Sequence, residues 1–211
     1  MEILNELSSA VQRGKSKEVV RLVQEALDQD VSAQQILDEG LLLGMGEIGA
    51  KFKNNEVFVP EVLVAARAMN KGTELLKEKL ASEGVEALGT VVIATVEGDL
   101  HDIGKNLVRM MMEGAGFTVI DLGTDVSDEK IVEAVKEHNP DILALSALLT
   151  TTMEQQGSVV KSVQDAGLRD NVKIMVGGAP ITQNFCDQIG ADYYTSDAAS
   201  AAELAKSIVL S

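Results

Sequence analysis

The sequence predicts an α/β protein in two parts, a helical bundle followed by a doubly wound, five-stranded parallel sheet. Three observations predict it. Across the first eighty or so residues, apolar side chains recur at helical spacing only. From residue 88 onward, short apolar runs alternate with helical stretches, the pattern of a parallel sheet covered on both faces. Finally, the loops after the first, third and fourth of these runs gather glycines, hydroxyls, a carboxylate and one of the chain's two histidines. Open α/β sheets bind their ligands at such loops.

The bundle reads as about four helices over residues 1–84. The first covers residues 1–12, and Val19, Leu22, Val23, Ala26 and Leu27 mark the second. Ser32 with Gln35 forms a capping box that starts the third, which carries Ile36, Leu37, Leu41 and Leu42 and is expected to fade at Gly44, Gly46 and Gly49. Pro60 suits the first residue of a long fourth helix with a stripe of Val62, Ala66, Met69, Thr73, Leu76 and Leu80. Residues 81–86 read as the linker. In the second part, 88–211, strands are expected at 90–96, 118–121, 142–146, 173–176 and 192–194, with helices between them. Ser127, ahead of Asp128 and Glu129, and Asp197 are placed to cap two of those helices. Five strands in about 120 residues suit the flavodoxin-like order 2-1-3-4-5. In that order the chain leaves strands one and three in opposite directions, and the crevice at their carboxyl ends is the expected ligand site.

Composition narrows the function. The 211 residues fit one large domain or two small ones, and with 45% hydrophobic, 3% aromatic and no Trp the cores are aliphatic. The net charge of −15, spread over both parts, argues against nucleic acid and anionic membranes, which call for basic patches. The single cysteine, Cys186, fits a reducing compartment. The N-terminus lacks the basic-then-apolar pattern of a signal peptide, and no run reaches the ~20 apolar residues of a membrane span. The expectation is a cytoplasmic protein with neither nucleic acid nor membrane as partner.

The densest motif is Gly98-Asp99-Leu100-His101-Asp102-Ile103-Gly104, directly after the first apolar run. Asp99 can hydrogen-bond one nitrogen of His101, fix the tautomer and leave the other nitrogen free for a metal. Gly104 lets a bulky group approach the backbone of the helix that follows. A lone histidine is not a metal site, so the remaining ligands would have to arrive with the bound group, as in a macrocycle. The loop after strand three carries Ser146-Ala147-Leu148-Leu149-Thr150-Thr151-Thr152, and the loop after strand four begins Gly177-Gly178.

Asp99-x-His101-x-x-Gly104, Ser146-x-Leu148 and Gly177-Gly178 together resemble the three-part signature of cobalamin-binding domains. The stretch from Val91 to Asn106 is similar to the cobalamin module of methionine synthase, and Gly44-Met45-Gly46 with Val57-Phe58-Val59-Pro60-Glu61 resembles that family's helical cap. A free-standing bundle plus cobalamin domain is the architecture of the small corrinoid proteins of methyltransferase systems. The resemblance implies that His101 replaces the cofactor's benzimidazole as lower cobalt ligand, that Asp99 accepts its other N–H, and that Thr152 follows in a hydrogen-bond relay. Asp102, Ile103 and Gly104 would border the corrin. Ser146, Leu148 and Thr150 would line the channel of the displaced nucleotide tail, for which Gly177 and Gly178 leave room, and Phe58 would cover the methyl-bearing face. The function so implied is a methyl carrier: cobalt in the Co(I) state takes a methyl group through a donor-specific methyltransferase and yields it to a second one, with tetrahydrofolate or a thiol as acceptor. A reductive activase is a further implied partner, and the bundle would swing aside on the linker to admit substrate. The donor stays open among methanol, methylamines, aryl methyl ethers and quaternary amines.

Simpler readings cover other residues. His138, before Asn139-Pro140, suits a solvated helix end; Cys186 a small buried hydrophobe; Met110 to Met112 plain helix packing; and Thr150 to Thr152 helix capping. Of other functions, a cobalamin-dependent sensor is the alternative, although it usually adds a basic or signalling domain. A mutase subunit needs a substrate barrel. A phosphoacceptor receiver needs an aspartate where Ser146 ends strand three, and flavin binding needs a better phosphate cradle than this histidine loop.

Overall fold

The computed structural model describes residues 2–211. Its first unit extends to Ala87 and takes in Gly114–Gly116; the second comprises Leu88–Glu113 and Phe117–Ser211.

In the first unit, α1 (Glu2–Gln12) and α2 (Ser16–Asp28) are followed by α3 (Ala33–Gln35), a π-helical stretch Ile36–Leu42, α4 (Leu43–Lys53) and α5 (Val59–Glu83). Residues 33–53 therefore form one continuous helical rod, and the unit is a bundle of four. Leu4, Leu7, Leu22, Leu41, Met45, Met69 and Leu76 are buried in its core. The rod does not fade at its glycines as the sequence suggested. Gly40 and Gly44 instead let it lie close to α1: a Cβ on Gly44 would come within 2.7 Å of Ser8 O, and one on Gly40 within 2.5 Å of Leu7 Cδ2. Ser32 caps the rod by accepting from Gln35 N. Pro60 is the second residue of α5, behind Val59, and Glu61 reaches back to accept from Phe58 N at 2.7 Å. The expected linker begins later than 81: α5 runs to Glu83 and ends at Gly84 in the left-handed conformation, φ +70°. The Glu83 carboxylate is itself engaged, accepting from Ala33 N at 3.1 Å and so capping the rod at its start.

The second unit contains β1 (Thr90–Thr95), α6 (Ile103–Gly114), β2 (Thr118–Asp121), α7 (Asp128–His138), β3 (Ile142–Ser146), α8 (Glu154–Asp165), a 3₁₀ turn Arg169–Asn171, β4 (Lys173–Gly177), α9 (Gln183–Ile189), β5 (Tyr193–Tyr194) and α10 (Ala198–Val209). All strand pairs are parallel, in the order β2-β1-β3-β4-β5 that the sequence predicts. Val96 leaves β1 and forms an isolated bridge with Val126, whereas Gly177 joins β4. Asp197 caps α10, accepting from Ser200 N at 2.8 Å. Ser127 does not cap α7 through its side chain. The Glu129 carboxyl there has its pKa lowered by its own backbone N–H and then by the Ser127 hydroxyl.

The register divides the sheet into two faces. Val92, Ala94, Val96, Leu143, Leu145, Ala147, Ile174 and Val176 join residues of α7, α8 and α9 in one apolar cluster. The alternate positions, including Ser146 and Gly177, which pair with each other across β3 and β4, therefore turn to the other face. Among the described residues no helix is long and apolar enough to cross a membrane.

Candidate functional site

The loop after β1 turns sharply because Gly98 takes φ +79° and Asp99 N returns to Val96 O at 3.2 Å. That turn drives the Asp99 side chain inward, where it is 0% exposed. An unpaired buried carboxylate would be very unfavourable, and this one is surrounded by donors. Oδ1 accepts from His101 N at 3.0 Å and from the His101 ring nitrogen Nδ1 at 2.8 Å. Oδ2 accepts from Leu148 N at 2.8 Å and from Thr152 Oγ1 at 2.6 Å. Burial acts to raise this carboxyl's pKa, but the bonds from Thr152, from the backbone of His101 and Leu148 and from the His101 ring outweigh it and hold Asp99 well below the usual carboxylate range.

The tautomer of His101 follows. An ionised carboxylate only accepts, so Nδ1 carries the proton and Nε2 of the neutral ring keeps its lone pair. Half of the imidazole side chain is solvent-exposed (50%) while Asp99 beneath it is sealed. Among the described residues there is no group of three or more His, Cys, Asp or Glu side chains placed to hold a metal ion. A metal bound at Nε2 would therefore bring its remaining ligands with it, as a macrocycle does.

Around the ring the surface is apolar. Leu100 and Ile103 are 73% and 76% exposed, and Leu148 and Leu149 are also open to solvent. Exposed aliphatic side chains grouped about one polar ligand atom suit a large flat partner. Gly104, in the first turn of α6, is exposed, and a Cβ there would meet nothing within 4 Å. Asp102 is exposed and turned aside, its carboxylate accepting from Asn106 Nδ2 at 3.0 Å. Ser146 is half-buried at the end of β3, and Thr150 is exposed on the loop beyond it. The two glycines differ. Gly178 has φ +133°, and a Cβ there would collide with the carbonyl of Ala147, so the chain itself requires a glycine. A Cβ on Gly177 would meet only Thr195 O, at 3.8 Å, so that position leaves open space. His101, Asp99 and Thr152 are thus joined directly, with Leu148 tied in through its backbone. Phe58, 70% exposed, belongs to the bundle unit.

Sequence reasoning missed two features of this site. Lys105, one turn into α6, is buried, with its ammonium 2.6 Å from both oxygens of Asp121 at the end of β2. Asp121 also accepts from Gly123 N at 2.9 Å. The second is the β2–α7 loop, which bonds to the backbone of the histidine loop through Asp125. A lysine on the apolar side of an amphipathic helix, and an aspartate ending a strand, were the available signals.

Comparison with known proteins agrees in both units. A B12 binding domain family matches residues 89–204, and a second B12 binding domain family matches residues 3–77. The dimethylamine corrinoid protein of Methanosarcina barkeri is 43% identical over 99% of this chain and 98% of its own length. Trimethylamine corrinoid protein 1 of Methanosarcina acetivorans is 42% identical, again over 99% and 98%. Among solved structures, the methanol:cobalamin methyltransferase complex MtaBC of Methanosarcina barkeri contains a chain that superposes with a TM-score of 0.90 at 32% identity, covering 99% of this chain and 80% of that one.

Proposed function

The chain belongs to the corrinoid proteins of methyltransferase systems, built on B12 binding domains, and from that premise we propose that it is the methyl-carrying subunit of such a system. Its cofactor is cobalamin or a related corrinoid. One observation carries the reading: a half-exposed imidazole whose Nδ1–H donates to a fully buried aspartate, which leaves Nε2 free to bind a metal.

The residues fit the group. His101 supplies one nitrogen and no protein cluster competes for the metal. Leu100, Ile103, Leu148 and Leu149 offer apolar surface, and the open space at Gly104 and Gly177 accepts bulk. Bound cobalamin supplies a cobalt centre that is nucleophilic when reduced and can hold and release a methyl group. The chain's own work is positional and electrostatic. Asp99 fixes the ring of His101 by accepting its Nδ1–H, and so would hold Nε2 toward the bound group. Thr152 stabilises the Asp99 carboxylate, which makes the strength of the histidine ligand adjustable through the hydrogen bond behind it. Ser146, Leu148, Thr150 and Gly177 would serve the nucleotide tail, with Gly178 fixing the turn beside them, and Asp102 and Ile103 would serve the corrin rim.

The partners in this reading are a donor-specific methyltransferase, a second methyltransferase for the acceptor and a reductive activase. Relatives named for dimethylamine and trimethylamine stand at 43% and 42% identity, so resemblance does not separate donors; donor choice lies with the partner enzyme. The test is reconstitution with hydroxocobalamin beside His101→Ala, read by visible absorption and, after reduction to Co(II), by electron spin resonance. Stoichiometric retention with nitrogen coupling that disappears in His101→Ala is expected. No retained corrinoid sinks the reading, and retention indifferent to His101 removes the ligand role.

A further inference from the structure

The histidine loop is held from two directions, and the second lies outside the motifs discussed so far. The Asp99 carboxylate is gripped by the loop after β3. The backbone of the same segment is gripped by the loop after β2, through one residue. Gly98 N donates to Asp125 Oδ1 at 2.7 Å, and Asp125 N donates to Asp99 O at 3.0 Å. Asp125 thus bonds reciprocally to two consecutive residues, Gly98 and Asp99, of the turn that leads through Leu100 to His101. It does so from φ +53°, a left-handed conformation that aspartate tolerates better than most residues and that persists only where the surroundings hold it.

The loop carrying Asp125 is itself anchored. Thr95 N donates to Gly123 O at 3.0 Å, Val126 N donates to Thr95 O at 3.1 Å, and Gly123 N is held by the Asp121 carboxylate. From the same strand end, Thr95 Oγ1 donates to His101 O at 3.0 Å. The bonds to the Asp99 carboxylate fix that side chain, and Asp99 N is tied to Val96 O, whereas Gly98 N and Asp99 O have Asp125 as their partner. Asp125 thereby restrains the backbone segment that leads into His101.

We propose that Asp125 is a positioning residue for His101, fixing the backbone of Gly98-Asp99 so that the imidazole is presented in ligating geometry. This rests on the reading of His101 as axial ligand. Geometry of this kind matters because small misplacements of a reacting or ligating atom are expensive.

Two substitutions separate the causes. Asp125→Gly keeps the left-handed backbone and removes the carboxylate; Asp125→Asn keeps both that backbone tolerance and an oxygen to accept from Gly98 N. Each is loaded with hydroxocobalamin and reduced to Co(II), and the histidine-ligated fraction is read from the nitrogen splitting. Asp125→Gly is expected to lower the ratio of ligated to unligated cobalt about tenfold, the scale of one hydrogen bond to a charged group, while Asp125→Asn stays near the parent. An unchanged ratio in Asp125→Gly overturns the proposal alone. A parent spectrum without His101-dependent nitrogen coupling overturns the functional reading and the proposal with it. Should Asp125→Gly retain no corrinoid, amide exchange in the cofactor-free protein decides. The His101 amide bonds to Asp99 and does not touch Asp125; faster exchange there in Asp125→Gly supports the proposal, and unchanged exchange overturns it.

Discussion

Replacing Thr152 with valine removes one hydrogen bond and almost no volume. The Thr152 hydroxyl lies 2.6 Å from Asp99 Oδ2, and both residues are buried. Without it, Oδ2 keeps Leu148 N at 2.8 Å and a long contact to Leu149 N at 3.4 Å. A hydrogen bond to a charged group contributes about 1.5–3 kcal/mol, so Thr152→Val should destabilise the sheet unit by about 2 kcal/mol at neutral pH. Urea unfolding can read this from tyrosine fluorescence, because the chain has no Trp and its two tyrosines, Tyr193 and Tyr194, both lie in that unit. With a urea dependence of about 2 kcal/mol/M, the midpoint falls by about 1 M. The penalty should also shrink on strong acidification, because losing the hydroxyl raises the folded-state pKa of Asp99 and the difference exists only while the carboxyl is ionised. Thr152→Ser keeps the donor and should lose less than half as much. A Thr152→Val change within about 0.5 kcal/mol of the parent would refute the account of a charge-assisted bond.

Asp99→Asn tests the same site through pH. Because the folded-state pKa of Asp99 lies below the unfolded value of about 4, its contribution is complete above that value and is lost as pH falls through the folded one; the stability gap between parent and Asp99→Asn should therefore narrow below pH 4, and a gap constant with pH counts against it. Lys105→Met leaves the largely buried Asp121 carboxylate without its main partner and should destabilise by about 3 kcal/mol in urea titrations, whereas Lys105→Met with Asp121→Leu should recover most of that loss. The glycine pair should separate folding from binding. Gly178→Ala meets both a positive φ and the Ala147 carbonyl and should lose about 3 kcal/mol or more of stability. Gly177→Val should change the cofactor-free melt far less, yet lower corrinoid retention measured after gel filtration; equal losses of stability in the two variants would refute the distinction.

The sheet order was legible because each strand is a short apolar run with turn residues on either side, and the histidine loop because glycine, aspartate and histidine are informative at fixed local offsets. The departures have one physical origin. Gly44, Gly46 and Gly49 read as the end of a helix, but the rod continues through them, and the close approach of α1 at Gly40 and Gly44 is not written in local sequence. Ser127 stands in the right place for a cap, yet its hydroxyl finds the Glu129 carboxylate first. Lys105 and Asp121 are sixteen residues apart and meet only because the connection from β1 through α6 returns the chain to β2 beside β1. Gly177 and Gly178 look alike in sequence, and only φ and the nearby Ala147 carbonyl distinguish them. Local chemistry was readable; the pairings created by tertiary folding were not.

The two faces of the sheet explain why the site needs three separate loops. On one face, alternate residues of β1, β3 and β4 are packed continuously against α7, α8 and α9. Ser146 and Gly177 have the opposite parity. A doubly wound sheet with right-handed crossovers leaves that face to α6 and α10, and α10 buries only alanines there, at 198, 199, 201, 202 and 205. The strand residues of that parity, Val91, Ile93, Ile142 and Met175, are buried as well, so the open space on this side lies at the strand end, at Gly177, where the functional reading puts the nucleotide tail. His101, which the functional reading makes the ligand, is held by bonds from the β3 loop to the Asp99 carboxylate, from the β2 loop to the peptide units, and from Thr95 to the His101 carbonyl. The reading of His101 as ligand thus draws on three loops: the one after β1 carries the imidazole, and those after β2 and β3 hold its backbone and its Asp99 partner.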